Sequence, residues 1–191
     1  MKKRNLDEER KILNKRIEDY QNKLRFKQKV NSYKSNYGKL KKTYNLKDKT
    51  EFLDEVVTLE YEEWADKKEV NREERLINKK EKIISLFSDK SFCKLILVDN
   101  DKLIGFISIF PNDCNEEKEL TPWYATMYVK EKYRGKGYSK ILNAAIIKEA
   151  YNRGFEKLYL KTDLDNYYEK FGAQYIKKLS SGEKLYFIKT K

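Results

Sequence analysis

The sequence predicts an α/β or α+β domain built on a central mixed sheet, with a helical extension ahead of it. Apolar residues recur at helical spacing over about residues 49–88, and short β-rich runs separated by turn sequences follow from residue 92. The charge also changes abruptly near residue 48, which favours a boundary between residues 1–48 and residues 49–191. A chain of 191 residues is long enough for one such domain with an appendage.

Most of the positive charge belongs to the first quarter of the chain. The formal net charge is +12, and residues 1–48 contain 16 basic and 6 acidic side chains. Five apolar residues at helical spacing predict an amphipathic helix over about residues 5–30, namely Leu6, Leu13, Ile17, Tyr20 and Leu24. The more polar stretch after it, which contains Gly38, is typical of a linker or irregular arm.

Two helices are expected to open the domain, over about residues 49–66 and 71–88. Strands are then predicted at residues 92–98, 103–110, 123–129, 157–161, 175–179 and 184–188. A helix over about residues 137–153 and a short one over about 165–171 interrupt these strands. Gly154 and Gly172 follow the two helices in the position where glycine commonly ends a helix.

The absence of histidine excludes several classes of site. A Ser-His-Asp or Cys-His nucleophile pair cannot be built, nor can a histidine-ligated zinc or haem site. Proton transfer near neutral pH is left to carboxylates, lysine, tyrosine, cysteine or water. Cys93 and Cys114 are too few for a disulfide framework and are expected to be small apolar fillers rather than nucleophiles. The charged start and the short apolar runs predict a soluble, cytoplasmic protein with no membrane partner.

A glycine loop joins the strand predicted at residues 123–129 to the long helix that follows. Gly135 and Gly137 alternate there with the basic residues Arg134 and Lys136. A helix N-terminus offers unpaired backbone N–H groups and a partial positive charge, and glycine lets the backbone approach a ligand closely. The loop therefore predicts a site for a phosphate or pyrophosphate group.

Three segments carry a resemblance to a known family. Pro122-Trp123-Tyr124-Ala125 precedes the loop, and 167-YYEKFGA-173 follows it further along the chain. Arg134-Gly135-Lys136-Gly137-Tyr138-Ser139 is similar to a motif Arg/Gln-x-x-Gly-x-Gly/Ala, with serine at the last position. Together they resemble the GNAT superfamily of N-acetyltransferases over about residues 50–189. The resemblance implies a GNAT-like central mixed, mostly antiparallel sheet flanked by helices.

The same resemblance implies acetyl-CoA as co-substrate, without a metal. The backbone N–H groups of six residues would bind its pyrophosphate, namely Arg134, Gly135, Lys136, Gly137, Tyr138 and Ser139. Its pantetheine arm would lie beside Met127, Tyr128 and Val129, where a backbone N–H polarises the thioester carbonyl. Tyr168, four residues before Gly172, would be the general acid that protonates the leaving thiolate.

The general base and the acceptor amine stay open at this level. A carboxylate or a water chain would take the amine proton, and four carboxylates are candidates, namely Glu60, Glu63, Asp113 and Glu119. Acidic residues in the first helix and in the loop after residue 110 favour a cationic acceptor. The acceptor classes left open are small amines, antibiotics, amino acids, and protein lysines or N-termini.

The basic extension allows three interpretations. Its apolar stripe packs on the domain, or it pairs with a second copy in a homodimer, or its lysines and tyrosines bind nucleic acid or the ribosome. In the third interpretation the GNAT-like domain has reduced or no activity and the protein works by binding. Packing within the chain is the favoured interpretation, followed by dimerisation and then by nucleic acid.

Overall fold

The computed structural model describes residues 14, 15, 18, 41–65 and 71–191. The chain divides into two compact units, Met1–Leu40 and Lys41–Lys191. In the first unit, residues 14, 15 and 18 are helical and exposed, and the rest of the predicted amphipathic helix lies outside the described residues. The second unit begins ahead of the boundary that the charge predicts at residue 48.

Seven strands of the described chain form one mixed sheet in the order β1-β2-β3-β4-β5-β7-β6. The strands are β1 (Lys42–Asn45), β2 (Cys93–Asp99), β3 (Lys102–Phe110), β4 (Trp123–Val129), β5 (Lys157–Thr162), β6 (Ala173–Lys178) and β7 (Lys184–Lys189). The long helices are α1 (Leu53–Trp64), α2 (Arg72–Ser85) and α3 (Tyr138–Asn152). Neighbouring strands are antiparallel except β4 and β5, which are parallel. The predicted fold class, a mixed and mostly antiparallel sheet flanked by helices, is confirmed.

Two elements differ from the sequence-based expectation. Residues 42–45, which belong to the predicted arm, form an edge strand antiparallel to β2, with Tyr44 opposite Ile96. Four mostly polar residues show no alternating pattern, and the fully buried Leu46 directly after them anchors the strand. The short helix predicted over residues 165–171 is a single 3-10 turn, Glu169–Phe171.

Helices cover both faces of the sheet, which explains why β2 is apolar along most of its length. Leu97 packs with Leu142 of α3 in one buried cluster. Its neighbour Ile96 points to the other face and packs with Val56 of α1 and Ile83 of α2. Among the described residues, no helix combines the length and the apolar character that crossing a bilayer requires.

The parallel strands β4 and β5 meet at one point and then separate. Trp123 lies opposite Tyr159, and the Tyr159 N–H donates to the Pro122 carbonyl at 3.0 Å. Beyond that pair, residues 125–127 of β4 and 160–162 of β5 line the same cleft. The gap between the two strands is therefore where a ligand can enter the sheet.

A β-bulge interrupts β4 where the strands separate. Ser108 of β3 pairs with Ala125, and Phe106 pairs with Tyr128, so β4 has one residue more than β3 over this interval. Thr126 lies in the bulge with a φ of +47°, a left-handed conformation that is uncommon for a β-branched residue. Because a bulge bends a strand and interrupts its ladder, it re-aims the side chains of β4 at the opening.

Candidate active site

Two clefts open from the gap between β4 and β5. The glycine-loop cleft has a volume of about 520 Å³ and is bounded by the end of β4, the loop before α3 and Tyr167–Tyr168. The charged cleft has a volume of about 1070 Å³ and is bounded by β4, β5, α1, α2 and the β6–β7 turn. Three residues line both clefts, namely Met127, Leu164 and Tyr168. A molecule that extends from one cleft to the other passes these side chains.

The glycine loop leaves backbone N–H groups available at the start of α3. The helix begins at Tyr138 with Gly137 as N-cap, and no side chain caps it. Gly135 and Gly137 have φ values of +75° and +79°, a conformation that favours glycine. A Cβ atom on either glycine would meet nothing within 4 Å, so the space around both positions is open. An uncapped helix N-terminus beside open space is suited to binding an anion.

Eight of the nine residues predicted to bind the cofactor line this cleft, namely Met127, Tyr128, Val129, Arg134, Gly135, Gly137, Tyr138 and Ser139. Lys136 does not line it, since its ammonium group points back to the Lys132 carbonyl at 3.5 Å. The Arg134 Nε donates to the Val129 carbonyl at 2.9 Å, and the guanidinium lies 5.6 Å from the Tyr128 ring centroid. Arg134 therefore ties the loop to the end of β4.

A lysine outside the motif reaches the same helix start. The Lys41 Nζ donates to the Tyr138 hydroxyl at 2.5 Å and lies 4.5 Å from the centre of its ring. Lys41 directly precedes β1, and the pairing of β1 with β2 is a long-range contact that sequence patterns do not reveal. The structure thus adds a positive charge beside the glycine loop that the motif does not include.

Tyr168 lies at the junction of the two clefts. Its ring packs edge-on against Tyr124 at 5.7 Å and against Tyr167 at 4.9 Å between centroids. Burial raises the pKa of Tyr168 to about 12, with smaller contributions from the charges of Tyr167 and Asp163. The hydroxyl therefore keeps its proton throughout the neutral pH range.

A buried polar network, Glu60–Lys94–Ser108–Thr126, lies against the charged cleft. Lys94 of β2 is fully buried, and its Nζ donates to Glu60 Oε2 of α1 at 3.1 Å and to Ser108 Oγ of β3 at 2.6 Å. The Thr126 hydroxyl on the β4 bulge lies 2.7 Å from Ser108 Oγ. Glu60 and Thr126 line the cleft, whereas Lys94 and Ser108 do not. Sequence reasoning named Glu60 alone of these four residues.

The four carboxylates predicted as base candidates lie in different places. Glu60 and Asp113 line the charged cleft. Glu63 lines the glycine-loop cleft, with Oε2 at 4.0 Å from an Arg134 nitrogen. Glu119 lines neither cleft. Of these four carboxylates, only Glu60 belongs to the buried polar network, so its surroundings differ from those of the other three.

The two cysteines are free, buried and outside both clefts. Burial raises the pKa of the Cys93 thiol to about 12, which keeps it protonated and unreactive near neutral pH. This environment agrees with the packing role expected of Cys93. Within the described ranges, no group of three or more cysteine, aspartate or glutamate side chains is arranged to hold a metal ion.

Comparison with known protein families gives a match over most of the domain. Residues 51–173 match the acetyltransferase (GNAT) family. A curated relative, N-alpha-acetyltransferase 30 of Schizosaccharomyces pombe, is 30% identical over 89 residues, which are 44% of this chain. Those residues span 59% of the relative, so the chain matches less than two thirds of its length.

Solved acetyltransferases share the fold. A spermidine N-acetyltransferase mutant from Vibrio cholerae has a TM-score of 0.57 at 15% identity, over 78% of this chain and 93% of that one. An aminoglycoside 6'-N-acetyltransferase complexed with coenzyme A has a TM-score of 0.53 at 18% identity, over 74% of this chain and 90% of that one. The comparisons do not support the nucleic-acid-binding alternative, and most of the arm on which it depends lies outside the described residues.

Proposed function

The chain belongs to the GNAT family of acetyltransferases, and on this premise we propose that it transfers the acetyl group of acetyl-CoA to a primary amine by direct attack in a ternary complex. The observation that carries the proposal is the junction of the two clefts. Because Met127 and Tyr168 line both, a cofactor in the glycine-loop cleft and an amine in the charged cleft would meet beside the Tyr168 ring. Holding two reactants in this way removes much of the entropic cost of their reaction.

The glycine-loop cleft fits acetyl-CoA in charge and in access. The pyrophosphate would bind the backbone N–H groups of residues 135–139, where Gly135 and Gly137 leave open space and Lys41 adds positive charge. The backbone N–H of Arg134, which the resemblance also implied, instead donates to the Glu131 carbonyl at 3.0 Å. The pantetheine arm would lie along Met127–Val129, where β4 has separated from β5. When bound, acetyl-CoA supplies an acyl group activated as a thioester, and the chain's own residues hold it and move protons.

Tyr168 is the proposed proton donor to the departing sulfur. Its pKa of about 12 keeps the hydroxyl protonated until negative charge develops beside it. Two other tyrosines are close, but the Tyr124 hydroxyl donates to Met127 Sδ at 3.2 Å, and Tyr167 lines only the glycine-loop cleft. Tyr168 is therefore the tyrosine that can serve both clefts.

The charged cleft is the proposed acceptor site. Its lining carries both signs of charge, with Lys161 paired to Glu183 at 3.1 Å and Lys79 at 3.8 Å from Glu60. The relatives reported above are named for N-alpha-acetylation, for spermidine and for aminoglycosides, and each acceptor presents an amine. We infer that the acceptor of this chain is a polar primary amine of one of these classes.

Two measurements on the full chain test this proposal. Acetyl-CoA should raise the melting temperature, since a ligand at 100 times its Kd stabilises the folded state by about 2.7 kcal/mol. A panel of spermidine, kanamycin and a peptide with a free N-terminus should then give release of free thiol that requires both the amine and acetyl-CoA. An unchanged melting temperature at millimolar acetyl-CoA would contradict cofactor binding, and with it the proposed function.

A further inference from the structure

The Glu60–Lys94–Ser108–Thr126 network forms a continuous path of hydrogen-bonding groups behind the charged cleft. Lys94 Nζ lies 2.6 Å from Ser108 Oγ and 3.4 Å from Thr126 Oγ1, and the two hydroxyls are 2.7 Å apart. The four residues come from α1, β2, β3 and β4, so the path crosses three adjacent strands under one helix. Each link is short enough for a proton to pass along it.

The bulge residue Thr126, which is half-buried, is the end of this path at the cleft. Thr126 lines the charged cleft and directly precedes Met127, which lines both clefts. Its φ of +47° is held by the bulge, although a β-branched residue rarely adopts that conformation. Backbone strain of this kind persists where the surrounding structure enforces it, and it commonly marks a functional position.

Resting on the proposed function, we propose that Thr126, Ser108 and Lys94 form a proton relay that removes the surplus proton from the acceptor amine, with Glu60 positioning Lys94. When Lys94 is neutral, its nitrogen accepts a hydrogen bond from Ser108, and Ser108 accepts one from Thr126. The Thr126 oxygen is then able to accept an N–H from an amine in the cleft. The relay thereby supplies the base that a chain without histidine lacks.

The proton transfers balance over one turnover. As the amine nitrogen bonds to the acyl carbon and the carbon–sulfur bond breaks, the nitrogen gives its surplus proton to Thr126 Oγ1. The Thr126 hydroxyl proton moves to Ser108, and the Ser108 proton moves to Lys94 Nζ, while Tyr168 protonates the sulfur. Lys94 then returns one proton through Ser108 and Thr126 to solvent in the open cleft, and Tyr168 regains one from that solvent.

The surroundings of Lys94 bring its neutral form to a lower pH than that of an exposed lysine. Burial lowers the pKa of Lys94, Lys79 on α2 lowers it further, and the charges of Glu60 and Cys93 oppose the shift. The rings of Phe106 and Phe110 lie 5.2 and 5.3 Å from Nζ and exclude water from that side. Five more charged side chains line the cleft that Glu60 also lines, namely Lys82, Asp113, Lys161, Asp163 and Glu183. Once protonated, Lys94 forms an ion pair with Glu60.

Two variants interrupt the relay while leaving both partners of the Lys94–Glu60 contact in place. Ser108→Ala and Thr126→Val each remove one hydroxyl, and both should lower kcat/KM for the amine about 100-fold near pH 7, with the KM for acetyl-CoA unchanged. The deficit should shrink as the pH rises toward about 9.5, because hydroxide and the free amine increasingly replace the base. A deficit that is equal at every pH would overturn the relay, as would full activity in either variant.

Two control variants separate the relay from general damage. Thr126→Ser restores the hydroxyl and should recover most of the rate that Thr126→Val loses. Thr190→Val removes a hydroxyl that donates to the Phe155 carbonyl at 2.6 Å, away from both clefts, and should leave the rate unchanged. If Thr126→Ser is as slow as Thr126→Val, the hydroxyl carries no proton and the inference is wrong.

A titration of Lys94 tests the relay without any acceptor amine. In protein labelled with ¹³C and ¹⁵N on lysine, the Lys94 side-chain signal should change at a lower pH than the signals of the exposed lysines, and Ser108→Ala should move its midpoint. The Lys94 signal is the one that is missing from the spectrum of Lys94→Met. If Lys94→Met does not fold, the signal is assigned as the one whose midpoint moves in Ser108→Ala. Should Lys94 stay charged until the exposed lysines titrate, the relay is excluded, whether or not the amine panel reveals acetyl transfer.

Discussion

The glycine-loop cleft and the charged cleft meet at Tyr168, yet they are assembled in different ways. The first depends mainly on one continuous stretch of backbone, residues 127–139, joined by Leu164 and Tyr167–Tyr168. The second gathers side chains from two helices, three strands, the loops that follow β3 and β5, and the β6–β7 turn. Binding of the cofactor is thus proposed to be local in the sequence, whereas proton handling and acceptor recognition depend on long-range packing.

The largest expected effect is a loss of acetyl-CoA binding caused by a change in the glycine-loop cleft alone. Gly137→Glu introduces a side chain at a φ of +79° and a negative charge at the uncapped start of α3. Both changes oppose binding of a pyrophosphate, so we expect the melting-temperature shift with acetyl-CoA to disappear, which corresponds to a loss of affinity of about 1000-fold or more.

Gly154→Glu is the matched control for this change. Gly154 has a φ of +84° and equally open surroundings, but it follows the C-terminal end of α3, outside both clefts. The variant should therefore suffer similar backbone strain and still respond to acetyl-CoA. Loss of the response in both variants would show that strain, rather than the anion site, explains the result.

The next effect concerns Tyr168, one of the three residues that line both clefts. Tyr168→Phe keeps the ring packed between Tyr124 and Tyr167 and removes only the hydroxyl. We expect kcat to fall about 100- to 1000-fold with acetyl-CoA affinity nearly unchanged, measured by thiol release and by thermal shift. Tyr167→Phe should keep its activity, and a comparable loss in that variant would exchange the roles of the two tyrosines.

A smaller effect is expected on the free energy of unfolding when the buried network behind the charged cleft is changed. Glu60→Gln removes the carboxylate from a contact in which both side chains are almost fully buried, with relative exposures of 0% for Lys94 and 2% for Glu60. Losing a buried hydrogen bond to a charged group typically costs about 2 kcal/mol, which urea denaturation can measure. Glu51→Gln breaks the exposed Lys49–Glu51 pair and should leave the stability unchanged, because surface pairs contribute little.

The smallest effect is a pH dependence in the core cluster that packs against α3. Cys93 belongs to this cluster, and burial raises its pKa from 9.0 to about 12. Above pH 9 the unfolded thiol ionises while the folded thiol does not, so this contribution to stability is lost as the pH rises toward 12. In urea denaturation, wild type should lose about 1 kcal/mol relative to Cys93→Ala between about pH 8 and pH 10. A constant difference would contradict the shift.

The sequence predicts the residues of the glycine-loop cleft better than those of the charged cleft. Gly135 and Gly137 are recognisable because a loop at a helix start and its proposed ligand contacts share one short segment. Lys94 could not be identified, because in a chain with 39% charged residues one lysine within a strand resembles any surface lysine. Its burial depends on Glu60, 34 residues away, and on strand pairing that only the folded chain brings about. The edge strand β1 was missed for the same reason, since its partner β2 lies about 50 residues further on.

The single residue pair between β4 and β5 gives the sheet a line along which few hydrogen bonds join its two halves. β1–β4 and β5–β7 are each held by antiparallel ladders with local bulges, while Trp123 and Tyr159 are the one pair among the described residues that joins the two halves in register. The angle between the halves can therefore widen or narrow over evolutionary time without disrupting either ladder. Acceptors of different size could be accommodated on one fold in this way. The width of the gap between β4 and β5 can therefore change, in evolution or by design, while the glycine loop stays the same.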